Sequence, residues 1–139
     1  MAKMPSRVKY RKSQRGSIKG NASRGNRVAF GDFGLQSLGR GWITSHQLEA
    51  GRVAIGHFLH DEGKLTVRLF PHKSITATPA ETRMGTGKGE PVDWVCVVKP
   101  GTIIYELGGL PEKLAREAFA RAAHKMPVKT KMVKRRVRI

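Results

Sequence analysis

The chain has 139 residues, 39% of them hydrophobic, which fits one ordinary domain with a modest core. Its 27 basic residues against 10 acidic ones leave a formal charge of +17, an excess that folding does not require and that a bound polyanion would neutralise. Nucleic acid is the leading partner on this ground and an anionic membrane the second. The single cysteine, Cys96, rules out an internal disulfide framework and a multi-cysteine zinc site. No apolar run approaches a membrane span or a signal-peptide core.

The charge is concentrated at the ends. Residues 1–27 carry nine basic side chains and no acid, and residues 125–139 carry seven more, again without an acid. Between them, residues 28–124 hold 11 basic and all 10 acidic residues, so the middle is almost neutral. This layout predicts a basic tail (1–27), a globular body (28–124) with a protruding loop (79–91), and a basic C-terminal strand or tail (125–139).

The opening segment is broken by glycine and serine and poor in bulky apolar residues. Alone it cannot offset the entropy of ordering. It reads either as a solvated tail or as one that orders against phosphates, and its charge density favours the second. It lacks the amphipathic face a transit peptide needs. Val28–Gly34 is expected to form a short strand with two exposed or stacking phenylalanines. A helix should follow, because Thr44 and Gln47 have capping-box spacing and Leu48, Ile55 and Leu59 recur on one face. Gly63 is placed to stop it. Gly51 and Gly56 weaken this helix but would permit close packing against a sheet.

Lys64–Phe70 alternates, with Leu65, Val67 and Leu69 on one side. Val92–Lys99 reads as a strand buried on both faces. It is expected to form a hairpin with Gly101–Leu107 across the Pro100–Gly101 turn. A second helix begins near Pro111, with Leu114, Ala118, Phe119 and Ala122 as its apolar stripe, and stops before Pro127. The residues from Val128 onward alternate as a surface strand with one cationic face. The expected fold class is α+β: a single domain with a mixed or antiparallel sheet and two main helices.

The glycine-rich stretch "RMGTGKGEP", Arg83–Pro91, invites comparison with phosphate-binding loops. A P-loop requires Gly, four residues, then Gly-Lys-Ser/Thr, but Lys88 is followed by Gly89 and the position five before Gly87 is Thr82. The dinucleotide fingerprint fails at Glu90, where a third glycine belongs. What remains is a long excursion, either a mobile surface loop or one that lets backbone amides approach a polymer closely. His57 and His60 fall on one helical face without a full ligand set, so no metal site is expected. Cys96, within "WVCVV", reads as a core residue. No catalytic residue, and so no enzyme, emerges from this pattern, and no cofactor is expected.

Three segments, "FGDFGLQSLGRGWITSHQLEAGRVAI", "VRLFPHKSITATPAETRMGTGKGEPVDWVCVVKPGTIIYEL" and "LAREAFARAAHKMPVKT", closely resemble the bacterial large-subunit ribosomal proteins of the L-sixteen family, shared with the archaeal and eukaryotic L-ten-e proteins. Where that family usually reads "GKGKG", Thr86 replaces the first lysine. The resemblance implies a structural, non-enzymatic component of the ribosome with a so-called hammerhead β motif. It also implies contacts to large-subunit rRNA, to A-site tRNA, and to P-site tRNA as a further expectation, near the peptidyl transferase region. Neighbouring ribosomal proteins would be partners; a membrane and a homo-oligomer would not. The location implied is the ribosome, in the cytoplasm or in an organelle of bacterial descent. For the loop, Arg83, Met84, Gly85, Gly87, Lys88 and Gly89 are the expected RNA contacts. For rRNA, charge points to Lys3, Arg7, Lys9, Arg11, Lys12, Arg15, Lys19, Arg24 and Arg27, together with Lys129, Lys131, Lys134, Arg135 and Arg136. A generic nucleic-acid-binding module outside the ribosome is the alternative.

Overall fold

The structure is a computed structural model that describes residues 3–78, 85 and 87–136. Among the described residues, seven strands and two helices follow one another as β1 (Phe33–Ser37), β2 (Gly41–Thr44), α1 (Ser45–Leu59), β3 (Lys64–Val67), β4 (Lys73–Ala77), β5 (Glu90–Val98), β6 (Ile103–Gly108), α2 (Glu112–Ala123) and β7 (Thr130–Lys134). The strands form two antiparallel sheets, one ordered β3-β6-β1-β7 and the other β2-β5-β4. The helices pack on each other; α1 also touches β2 and β5, and α2 touches β1 and β7. The core between them gathers Leu35, Ile43, Leu48, Ile55, Tyr105, Leu107 and Phe119, all nearly or fully buried. The fold class is the α+β arrangement that the periodicities imply.

Local chemistry explains the helix starts. The Thr44 hydroxyl accepts from the Gln47 amide at 3.1 Å, and the Gln47 side chain accepts from the Thr44 amide at 3.0 Å, the reciprocal pairing that satisfies two orphan donors. The first helix ends earlier than Gly63 would place it. His60 and Asp61 both take left-handed backbone angles (φ 49 and 65), and the His60 amide closes onto the Gly56 carbonyl at 3.0 Å. Gly63 (φ +71) serves the turn into β3 instead. As a result His60 caps the helix instead of continuing it. The second helix buries Ala115, Ala118, Phe119 and Ala122, with Leu114 partly buried against the same core.

Four expectations are corrected by the sheets. First, β1 starts at Phe33 and not at Val28, because the Ala29 and Phe30 amides donate to the Glu106 carboxylate at 2.6 and 3.0 Å and leave the ladder. Second, β5 and β6 do not form a hairpin. The turn between them is present, with the Thr102 amide on the Lys99 carbonyl at 3.1 Å, but the Ser37 amide then captures the Thr102 carbonyl at 2.8 Å. The chain therefore feeds into β1's sheet, and β5 stays with β2 and β4. Third, β5 is covered on both faces only around its middle, where the successive Val95 and Cys96 are both buried; Val92 and Val97 are exposed. Fourth, β7 is not cationic on one face alone. Lys131 pairs in register with Gln36, whereas Lys134 falls on the opposite side with Met132 and meets Glu112 of α2 at 3.0 Å. Strands β2 and β4, short and weakly patterned, were not anticipated.

Candidate nucleic-acid interface

Residues 3–27 contain no helix or strand, yet the body holds their main chain at several points. Arg40 donates to the Ile18 carbonyl at 3.3 Å and Arg68 to the Arg27 carbonyl at 3.2 Å, while Lys73 reaches the Arg15 carbonyl and Lys88 the Ser13 carbonyl. Ser74, itself buried, donates to the Arg11 carbonyl at 2.6 Å. Backbone pairs complete the attachment: the Ala22 amide donates to Pro100 at 2.9 Å, and the Ile103 amide to Gly25 at 2.8 Å. Cations of the body thus neutralise carbonyl dipoles of the tail. The tail's own cations, Lys3, Arg7, Lys9, Arg11, Lys12, Arg15, Lys19, Arg24 and Arg27, are all left exposed.

The tail meets both of the other basic regions. Its later half, with Asn21, Asn26, Arg27 and Val28, forms one wall of a groove of about 1410 Å³ whose far side includes Lys131, Lys134, Arg135 and Arg136. Gln36 on the groove floor donates to the Gly101 carbonyl at 3.0 Å and fixes that end. Asp32 is the acid among the groove's lining residues. Lys129 is exposed just before β7. The tail's earlier half runs beside the root of the β4–β5 connection, where Lys12 donates to the Lys88 carbonyl at 2.9 Å and Arg11 faces Glu90 at 3.5 Å.

That connection is shorter than 79–91, since Glu90 and Pro91 already pair with Ala77 and Thr76. Gly85 and Gly87 adopt φ +97 and +94, which side-chain-bearing residues rarely adopt, and among the described residues no atom stands within 4 Å of a Cβ added to either. Gly89 is glycine for a different reason, because a Cβ there would strike the Ala77 carbonyl. Lys88 is exposed. Arg83 and Met84 lie outside the described residues.

Sequence reasoning overlooked the body residues that organise the tail. Trp42 is flanked by Arg15 at 5.5 Å and Lys73 at 4.9 Å from its ring centroid, a cation–π arrangement. An aromatic residue beside basic ones in a strongly cationic chain was the available signal. Cys96 is buried, and burial pushes its thiol up to about 12, so it stays protonated and unreactive at neutral pH. Among the described residues, no cluster of three or more His, Cys, Asp or Glu could hold a metal. Nor does any described helix have the length and apolarity to cross a membrane.

Exposed cations on three segments joined over a small, nearly neutral α+β body are the arrangement of a protein suited to a polyanionic partner. The chain belongs to the family "Ribosomal protein L16p/L10e", whose model matches residues 5–133. It is 62% identical over 136 residues to "Large ribosomal subunit protein uL16" of Rhodopirellula baltica, covering 98% of this chain and 99% of that one. The uL16 of Methylacidiphilum infernorum is 58% identical, over 97% of this chain and 94% of its own. A "Large ribosomal subunit protein uL16c" from Ostreococcus tauri is 60% identical over 94% and 93% of the two chains. The role is structural and ribosomal, not enzymatic.

Proposed function

We propose that this protein binds large-subunit rRNA through its tail, its groove and its C-terminal strand, and presents the β4–β5 connection to A-site tRNA, with P-site tRNA as a second contact. The observation that carries this reading is the division of labour among cations. Body side chains hold the tail by its carbonyls, and every tail cation remains exposed. Phosphates that displace condensed counterions would drive binding through ion release. Shape and backbone contacts would dominate over base-edge reading. Fixed between rRNA and tRNA, the body would stiffen the region through which the acceptor arms pass.

The test uses large subunits lacking the protein, to which native chain or a version with Thr82 to Gly89 shortened is returned. Chemical probing should show rRNA protections with both, while A-site tRNA binding should fall with the shortened loop. Absence of rRNA protection by the native chain would overturn the rRNA reading and favour a generic nucleic-acid module. Unimpaired tRNA binding with the shortened loop would remove the tRNA contact.

A further inference from the structure

Phe30 is 69% exposed, the most exposed phenylalanine among the large hydrophobics, yet its backbone amide is held by a buried side chain. The Ala29 and Phe30 amides both donate to Glu106, a carboxylate with no exposed surface at all, and Arg68 completes the cluster at 3.0 Å from the same carboxylate. Arg68 also stands 5.3 Å from the Phe30 ring centroid and is itself held by the Arg27 carbonyl. A buried carboxylate is costly unless its partners are well placed. Here those partners hold the backbone that carries a solvent-facing aromatic ring, with the Arg68 guanidinium beside it.

Beside the ring lies a cleft of about 310 Å³, walled by Phe30, Gly31, Gly63 and Gly108, with Lys64 on its rim, at the small end of the range that holds small ligands. The two acids in this neighbourhood are already engaged: Glu106 by three donors, and Asp32 by the Gly109 amide at 3.2 Å. Asp32 also brings Arg135 near, since its carbonyl accepts the Arg135 amide at 2.9 Å. The exposed Asp32 keeps its negative charge, but Lys64 and Arg135 outnumber it, so the outward balance is cationic. An exposed ring on a held backbone, with a guanidinium on one side, a glycine-lined hollow and nearby lysine and arginine, matches an unstacked base with its phosphodiester, because every base has a π-face and its backbone is anionic.

We propose that Phe30 is a stacking platform for one unpaired RNA base, oriented by Glu106 and Arg68, with Lys64 and Arg135 toward the flanking phosphates. This rests on the rRNA reading above. The experiment returns native protein, Phe30→Ala, Phe30→Leu and Phe30→Tyr to large subunits lacking it and reads both affinity and base reactivity of the rRNA. Because the side chain is exposed, thermal melts of the free variants should match the native protein. Phe30→Ala and Phe30→Leu should each bind about ten-fold more weakly and lose protection of one unpaired base, while hydroxyl-radical protections of the backbone persist. Phe30→Tyr, which keeps the ring, should retain that protection.

If Phe30→Leu protects the same bases as the native chain, the platform is wrong although rRNA binding stands. Weaker binding with unchanged base reactivity would mean that the ring meets a neighbouring protein, which also overturns it. Failure of the native chain to protect any rRNA would instead sink the underlying reading.

Discussion

Lys12 and Lys88 are tied reciprocally: the Lys12 ammonium donates to the Lys88 carbonyl at 2.9 Å, and the Lys88 ammonium reaches back to the Ser13 carbonyl. With Ser74 on the Arg11 carbonyl, this lays the tail along β4, the edge strand of its sheet. An unpaired edge is a liability that proteins cover. Removing residues 1–20 should accordingly raise amide exchange across Lys73–Ala77 and leave buried β6 unchanged. Exchange at β4 that is insensitive to the truncation would show that the tail does not cover this edge.

The same truncation bears on polyelectrolyte binding. It removes seven of the exposed tail cations but keeps the Ala22 and Gly25 attachments near the groove. Each lost phosphate contact lowers the salt slope of binding by roughly 0.7–0.9. The slope of log K against log salt should drop by several units, with residual binding through the groove. An unaltered slope would mean the tail does not engage phosphates.

Two glycines of α1 should respond to alanine with opposite signs. A Cβ on Gly51 would run into the Tyr105 hydroxyl and approach Met126 Cε at 2.9 Å, and that hydroxyl is committed to the Leu48 carbonyl. Overpacking of this kind costs about 1–3 kcal/mol. Around Gly56 nothing lies within 4 Å of a new Cβ, so Gly56→Ala should gain about 0.5–1 kcal/mol of helix propensity. Urea melts of the two variants decide it. Stabilisation by Gly51→Ala would disprove the close approach of α1 to β6.

This contrast also shows what a sequence discloses. Gly51 and Gly56 look alike in the pattern, and only the position of Tyr105 on another element separates them. The Thr44–Gln47 cap was legible because every atom it needs lies within four residues. The Pro100–Gly101 turn was legible too, but a turn does not specify which strand captures the chain beyond it; the Ser37 amide decides that. For the interface, charge drew attention to the tail and C-terminal cations, which the structure leaves exposed. Their assembly by Arg40, Arg68, Lys73 and Lys88 was hidden, because those side chains bind tail carbonyls, which every residue possesses. Glu106 looked like one polar position in an apolar strand, and nothing local revealed that it would hold Phe30.

The start of α2 offers a pH test. Lys134 and, next, Arg116 hydrogen-bond the Glu112 carboxylate and hold it below its ordinary value of 4.5. This pairing ties the helix to edge strand β7, and the negative charge also sits favourably at a helix N-terminus. A carboxyl group whose pKa is lower in the folded state contributes stability above its unfolded value and loses it as pH falls through the folded one. Glu112→Gln should therefore melt below the native protein at pH 7, and the gap should shrink progressively below about pH 4.5. Raising salt at pH 7 should narrow the gap as well, because the pair is solvent-accessible and screened. A gap that persists undiminished at pH 2 would show that Glu112 acts through packing and not through its charge.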